Sequence, residues 1–273
     1  GGRYDEYTQT FSEFLIVPYG TDSIDFAIEM AVTVFDRLGK ILERHLGRKP
    51  LVASSYGHAA PSDDPEEVLG LMQDAIDACG YSGRIAFALD CASSQAFDKA
   101  TGSYLLKGRR VSAHELIAYA RGLSERFNLV FIEDLLDEND WAGHAEAVRD
   151  IPRTIILGDD LTATRLDFLE RAQRDKAVDG FILKPNQVGT ITEAMEAWRF
   201  ANAHGLVAVP SGRAGGVVDD VVMDFSVGLH VPFQKNGAPR TGERIEKLNF
   251  LMRANAANPG CRLYDIEPLL RFK

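Results

Sequence analysis

A chain of 273 residues, 45% hydrophobic and 26% charged with no low-complexity tract, can bury a full core as one βα-barrel domain. Its net charge of −10 excludes general nucleic-acid affinity, so a small anionic substrate would need local positive charge from a metal, Lys or Arg. No apolar run approaches the ~20 residues of a spanning helix, and Cys79, Cys91 and Cys261 are odd in number without metal-ligand spacing, which points to a reduced, cytoplasmic setting with no membrane partner.

The chain opens Gly1-Gly2-Arg3 without an initiator Met, so an earlier natural start or processing is expected. Glu13-Phe14-Leu15-Ile16-Val17-Pro18 reads as a strand closed by proline. From Ile24 to Leu46 apolar residues recur near the helical period, and Gly47 stops that helix. A loop from about Ala53 to Asp64 leads into a second helix ending near Ala78, with Asp63 or Asp64 as cap and Pro65 at the first helical position. Strands are then predicted near 84–89, 129–132, 154–157, 180–183, 206–209 and 231–234. Helices are predicted near 112–126, 140–149, 164–175, 189–204, 217–228 and 240–257, the first opened by the capping box of Ser112 and Glu115. Asp98 to Gly102 reads as a hairpin excursion. An initial strand and two helices followed by six βα units predict an α/β fold, a βα barrel with an irregular start and no internal domain boundary.

Charged residues close several of these strands: Asp90, Glu133, Asp159 and Lys184. In a βα barrel, residues at the C-terminal strand ends converge on one mouth, where catalytic groups sit. One acidic residue after a strand is more often a helix cap, but three on that rim suit a hard divalent ion such as Mg2+. Asp134 and Asp160 read as supporting or capping groups. Lys184 precedes Pro185, which holds it extended at the strand end, where a partly desolvated lysine beside a metal can serve as general base. The stretch Ser211-Gly212-Arg213-Ala214-Gly215-Gly216 runs from a strand end toward a helix expected near Val217, a plausible phosphate cradle of backbone N–H groups with Arg213 beside them. Lys235 adds a second ammonium suited to a substrate carboxylate. Of the histidines, His58 stands apart because it lies in the long early loop.

The sequence resembles the enolase barrel over nearly its whole length. The resemblance rests on Ser12-Glu13-Phe14, Leu89-Asp90-Cys91-Ala92-Ser93-Ser94, Ile132-Glu133-Asp134, Gly158-Asp159-Asp160-Leu161, Lys184-Pro185-Asn186-Gln187-Val188-Gly189-Thr190 and Glu243 to Asn249. It implies Mg2+-dependent conversion of 2-phosphoglycerate to phosphoenolpyruvate on a TIM-like barrel of the enolase type. Asp90, Glu133 and Asp159 match the metal carboxylates and Lys184 the base. Lys235 matches the lysine on the substrate carboxylate, Arg213 the phosphate-binding arginine, and Glu13 the glutamate that supports the general acid.

The departures concern the leaving-group half of the reaction. Where enolases carry an Asp-Glu-Gly-Gly-type segment, this chain reads Ser55-Tyr56-Gly57-His58, without a carboxylate. The Ser-His-Arg-Ser-Gly-Glu-type phosphate loop has become Ser211 to Gly216, losing a His and a Ser, and Arg3-Tyr4 replaces a Ser-His pair. Dehydration would then need Tyr56 or His58 as acid, with His58 preferable on intrinsic pKa. Three functions stay open: an enolase-like lyase, a carboxyphosphoenolpyruvate synthase-like enzyme of phosphonate biosynthesis, and a non-catalytic metal- or partner-binding barrel. The expected ligand is a small phosphorylated or phosphonate carboxylic acid. The resemblance also implies an N-terminal capping domain, absent from this chain's residues 1–273. Enolases are typically homodimers through surfaces that include that domain, so a homodimer is left open.

Overall fold

Apolar periodicity and capping chemistry place the elements. The computed structural model describes Gly2, residues 10–53 and residues 55–273; the Arg3-Tyr4 pair lies outside the described residues. Strand β1 (Glu13–Pro18) is followed by α1 (Ile24–Leu46), whose Ser23 side chain accepts the Phe26 N–H and whose end turns at Gly47 with φ 66°. Helix α2 (Pro65–Ala78) starts on Asp64, which accepts the Glu66 N–H. Met30, Val34 and Leu38 of α1 and Leu69, Met72 and Ile76 of α2 join one buried cluster.

Strand β2 (Ile85–Asp90) leads into a 3-10 turn at Ser93–Ala96 and then a small antiparallel sheet of β3 (Phe97–Asp98), β4 (Ser103–Leu106) and β5 (Arg109–Val111). The predicted hairpin excursion is thus a three-stranded unit. Asp98 closes its turn by accepting from Ala100 N–H and the Thr101 hydroxyl. Helix α3 (Ala113–Arg126) has the predicted capping box, worth about 1 kcal/mol. There follow β6 (Leu129–Glu133), α4 (Trp141–Asp150), β7 (Ile155–Gly158), α5 (Leu166–Asp175), β8 (Gly180–Leu183), α6 (Pro185–Val188), α7 (Ile191–Ala203), β9 (Val207–Pro210), α8 (Val222–Gly228) and α9 (Gly242–Ala257).

The main sheet runs β1-β2-β6-β7-β8-β9, with β1 antiparallel to β2 and the other pairs parallel. Strands β6, β7 and β8 are buried along their whole length, as parallel strands covered on both faces require. Ala86, Ala88, Phe131, Ile155, Leu157, Ile182 and Val209 pack into one inner cluster with Phe233, while Phe87, Leu89, Ile132 and Ile156 pack outward under α1–α4. The curled sheet therefore encloses a packed interior, as a barrel does. Among the described residues no helix is long and apolar enough to cross a membrane.

Several predicted boundaries are corrected. The helix expected at 189–204 is present as α7 (Ile191–Ala203), and Gly189 at φ 119° separates it from the short α6 before it. The helix expected from 217 begins only at Val222, because Asp219 is left-handed (φ 62°) and Asp220 caps Val222 N–H at 3.0 Å. The strand expected at 231–234 is reduced to one bridge, Lys235 to Ser211. Pro232 has no N–H, and an apolar groove of about 460 Å³ lies along the segment, lined by Leu15, Val17, Ile28, Phe233, Leu251 and Leu263 among others.

At Gly180 an added Cβ would stand 2.2 Å from the Val207 carbonyl oxygen and 2.8 Å from Leu157. Gly180→Ala is expected to cost about 1–3 kcal/mol, read as a lowered urea midpoint at unchanged slope.

Candidate active site

The alternation of a strand selects the site. Ala88, Phe131, Leu157 and Ile182 point into the barrel. Two residues further on, Asp90, Glu133, Asp159 and Lys184 therefore point the same way, at the C-terminal rim. Register sets Glu13 opposite Asp90, and Asp90 opposite Glu133, so three carboxylates stand side by side. The Ser211–Lys235 bridge brings Lys235 to them, with Lys235 N–H donating to Pro210 O at 2.9 Å.

The Lys235 ammonium donates to Asp90 Oδ2 at 2.5 Å and Glu133 Oε2 at 2.8 Å, and stands 3.5 Å from Glu13 Oε2. Lys184 pairs with Asp159 Oδ2, and both residues are buried. Burial pushes the Glu133 carboxyl well above its usual range, with the Asp90 charge adding to it and Lys235 opposing. Burial likewise raises Asp90 against the pull of Lys235. For Glu13, burial is outweighed by the Lys235 charge and a Ser55 hydrogen bond, so its carboxyl is lowered. Burial alone would lower Lys235, but the Asp90, Glu133 and Glu13 charges hold its ammonium well above the ordinary lysine value.

Four carboxylates thus face two ammoniums. Glu133 Oε1 and Asp159 Oδ1 are buried with no hydrogen-bond partner among the described residues. Hard oxygen donors short of positive charge fit a divalent cation. Asp134, Asp159 and Asp160 also bring carboxylate oxygens within 4.8 Å of one another. Asp134, however, spends its oxygens on the N–H groups of Asp159 (2.9 Å) and Asp160 (2.8 Å), its backbone left-handed at φ 44°. Its part is to hold the turn that aims Asp159, in line with the supporting role read from the sequence. Thr164 does the same for Lys184: its hydroxyl donates to Ile182 O at 3.0 Å and accepts Lys184 N–H at 2.9 Å. Thr164 went unnoticed in the sequence, since nothing local marks a threonine at φ 56°.

The early loop is arranged differently. His58 is buried, stacked on Phe35 at 4.4 Å, with Nε2 3.1 Å from Phe35 O and Nδ1 3.2 Å from an Arg240 nitrogen. These partners place its proton on Nε2 and hold the ring on Phe35 and Arg240. Gly39 makes the room, since a Cβ there would meet the imidazole at 2.9 Å. Burial and the Arg240 charge, against the Phe35 carbonyl, push the His58 pKa down to about 4. Tyr56 is left-handed at φ 63°, its ring under the Arg244 guanidinium at 5.4 Å.

The 211–216 loop meets the rim through Ser211 N–H to Leu183 O and Gly212 N–H to Lys235 O, both 3.2 Å. Ser211 Oγ donates to Gly212 O at 3.1 Å, and the Arg213 side chain is exposed. The free helix start expected near Val217 is absent, because Gly216 N–H turns back to Arg213 O at 3.1 Å. An anion there would be met by loop amides and Arg213 rather than by a helix end.

Residues 1–261 match the family described as "Enolase, C-terminal TIM barrel domain". The enolase of Methanococcus aeolicus is 36% identical over 254 residues, 93% of this chain and 60% of that protein. The enolase of Aeropyrum pernix is 36% identical over 256 residues, 92% and 59% respectively, and that of Sulfolobus acidocaldarius 32% over 253 residues, 92% and 60%. The chain spans about three fifths of the length of these curated relatives.

The depressed His58 pKa has a stability consequence of definite sign. Its contribution is present above the unfolded value near 6.5 and is lost as pH falls through about 4. His58→Gln should therefore flatten stability between pH 6.5 and 4 relative to wild type in urea titrations; parallel curves would contradict this.

Proposed function

Because this chain belongs to the enolase family through its C-terminal barrel domain, we propose that it is a Mg2+-dependent carbon–oxygen lyase. It removes the proton alpha to the carboxylate of 2-phosphoglycerate or a close analogue and leads to phosphoenolpyruvate. One observation carries the reading: buried Lys184 stands against Asp159, while Asp159 Oδ1 and Glu133 Oε1 are unsatisfied at the same rim.

In this reading Asp90, Glu133 and Asp159 hold Mg2+, which supplies Lewis-acid charge to the substrate carboxylate. Lys184 Nζ accepts the alpha proton once its pairing with Asp159 is relaxed. Lys235 keeps its proton, because the carboxylates around it hold the ammonium charged, and it neutralises the carboxylate on which negative charge develops. Glu13, beside Lys235, holds that ammonium in place. Expulsion of hydroxide needs an acid. With both His58 nitrogens engaged, that proton is assigned to Tyr56. Ser211, Gly212 and Arg213 take the phosphorus group.

A second reading is an enolase-related enzyme of phosphonate biosynthesis, similar to carboxyphosphoenolpyruvate synthase. It is favoured by the small residues Gly212, Ala214 and Gly216 in the 211–216 loop and by the absence of a carboxylate at 55–58.

In D2O with Mg2+, the protein is expected to wash out the alpha-proton NMR signal of 2-phosphoglycerate. Lys184→Ala should slow this by at least ~100-fold, and chelation with EDTA should stop it. Exchange with phosphoenolpyruvate formed marks the lyase, whereas exchange without it moves the assignment to the phosphonate reading. Exchange at the wild-type rate in Lys184→Ala would remove the base assignment, and no exchange by wild type leaves a silent barrel.

A further inference from the structure

One arginine reaches back to the early loop and takes no part in the assignment above. Arg240 follows Lys235 closely, in the stretch that leads into α9. Its guanidinium donates through Nη2 to His58 Nδ1 at 3.2 Å and through Nη1 to the Tyr56 carbonyl oxygen at 3.4 Å, and its carbon stands over the Phe35 ring, 5.2 Å from the centre. His58 is itself stacked on Phe35 and gives its Nε2 proton to Phe35 O at 3.1 Å. A neutral histidine in that tautomer is the acceptor that Arg240 requires. A planar fork can serve two acceptors and still face the ring, which an ammonium cannot.

The loop that Arg240 meets is the one that carries Tyr56. Its turn is closed by Tyr56 N–H to Ala53 O and Ala53 N–H to Gly57 O, both 2.9 Å, and it holds Tyr56 left-handed at φ 63°, which is unfavourable for a residue with a side chain. Three elements grip this turn from outside. The Ser55 side chain hydrogen-bonds to Glu13 of β1, His58 to the Phe35 carbonyl of α1, and Arg240 to Tyr56 and His58 from the stretch after Lys235. Lys235 is fixed in turn by its N–H to Pro210 O and by its ammonium on Asp90 and Glu133. Among the described residues β1 pairs with β2 alone, so side chains must carry the link between the early loop and the Lys235 segment.

We infer that Arg240 is a positioning residue for the protonation half of the reaction, holding the turn around Tyr56 in place relative to Lys235, with His58 as its acceptor. The inference rests on the reading that Tyr56 supplies the proton to the departing hydroxide. That step needs the acid within reach of the leaving oxygen while Lys235 holds the substrate carboxylate, and a misplacement of about 1 Å costs up to about a hundredfold in rate. Removal of the alpha proton by Lys184 does not use the early loop. Arg240 therefore acts on the second half of the reaction and leaves the first to the rim.

The test follows 2-phosphoglycerate in D2O with Mg2+ and compares, in one sample, alpha-proton exchange with phosphoenolpyruvate formation. Arg240→Gln is expected to lower the ratio of phosphoenolpyruvate formed to proton exchanged by at least ~tenfold. Arg240→Lys should lower it less, and guanidinium ion added to Arg240→Ala should raise it again. A merely structural arginine would lower both rates together and leave the ratio as it was. The inference is overturned if Arg240→Gln keeps the wild-type ratio, or if guanidinium ion fails to raise it in Arg240→Ala. Tyr56→Phe separates the inference from the reading beneath it. Phosphoenolpyruvate formed by Tyr56→Phe at the wild-type rate removes Tyr56 as acid, whereas its loss there with an unchanged ratio in Arg240→Gln removes Arg240 alone. If wild type exchanges no proton, the lyase reading falls and amide hydrogen exchange decides the contact. The hydrogen-bonded amides of Ala53 and Tyr56 should then exchange faster in Arg240→Gln while those of α7 do not, and equal protection would overturn it.

Discussion

Glu13, Asp90 and Glu133 are neighbours in register on three adjacent strands, all facing inward, and the Lys235 ammonium among them offsets their repulsion. Like charges directly across a sheet oppose its pairing. Lys235 comes from the segment that meets β9, so its three contacts span the mouth from one end of the sheet to the other. The ion cluster is a cross-brace between the first and last strands of the sheet. Withdrawing one member of such a buried pair costs about 3–5 kcal/mol, because the remaining charge is stranded.

Around this brace, backbone strain is used to aim side chains. Asp134 and Thr164 both adopt left-handed conformations just past strand ends, and each turns its side chain back onto the backbone of a rim residue. Burial raises the Asp90 and Glu133 carboxyls, neighbouring carboxylate charge adds to it, and Lys235 opposes it.

What could be read from the sequence follows from locality. The acidic and lysine strand ends were legible because alternation along a strand fixes which side chains share the inner face, and that rule needs only a few residues. The capping box at Ser112 and the glycine stop at 47 are equally local. The role of His58 was not legible, because the partners that neutralise it, Phe35, Gly39 and Arg240, come from a helix and a loop far apart in the chain. Nor was the start of α8, where a valine run at 217–218 reads as helix and a left-handed Asp219 overrides it.

The groove beside β1 marks where the ring of strands is not joined by backbone pairing. Strand β1 is an edge of the main sheet, and from Leu15 to Pro18 its sequence is Leu-Ile-Val-Pro, without a charge. An uncharged edge strand is a template for a further strand, and here the chain's own residues 231–235 and helix α9 line the trough beside it. The seam of the barrel is thus tied at the rim by the Lys235 ion contacts and below it by side chains alone, which makes it the stretch of wall with the least hydrogen bonding to hold it shut.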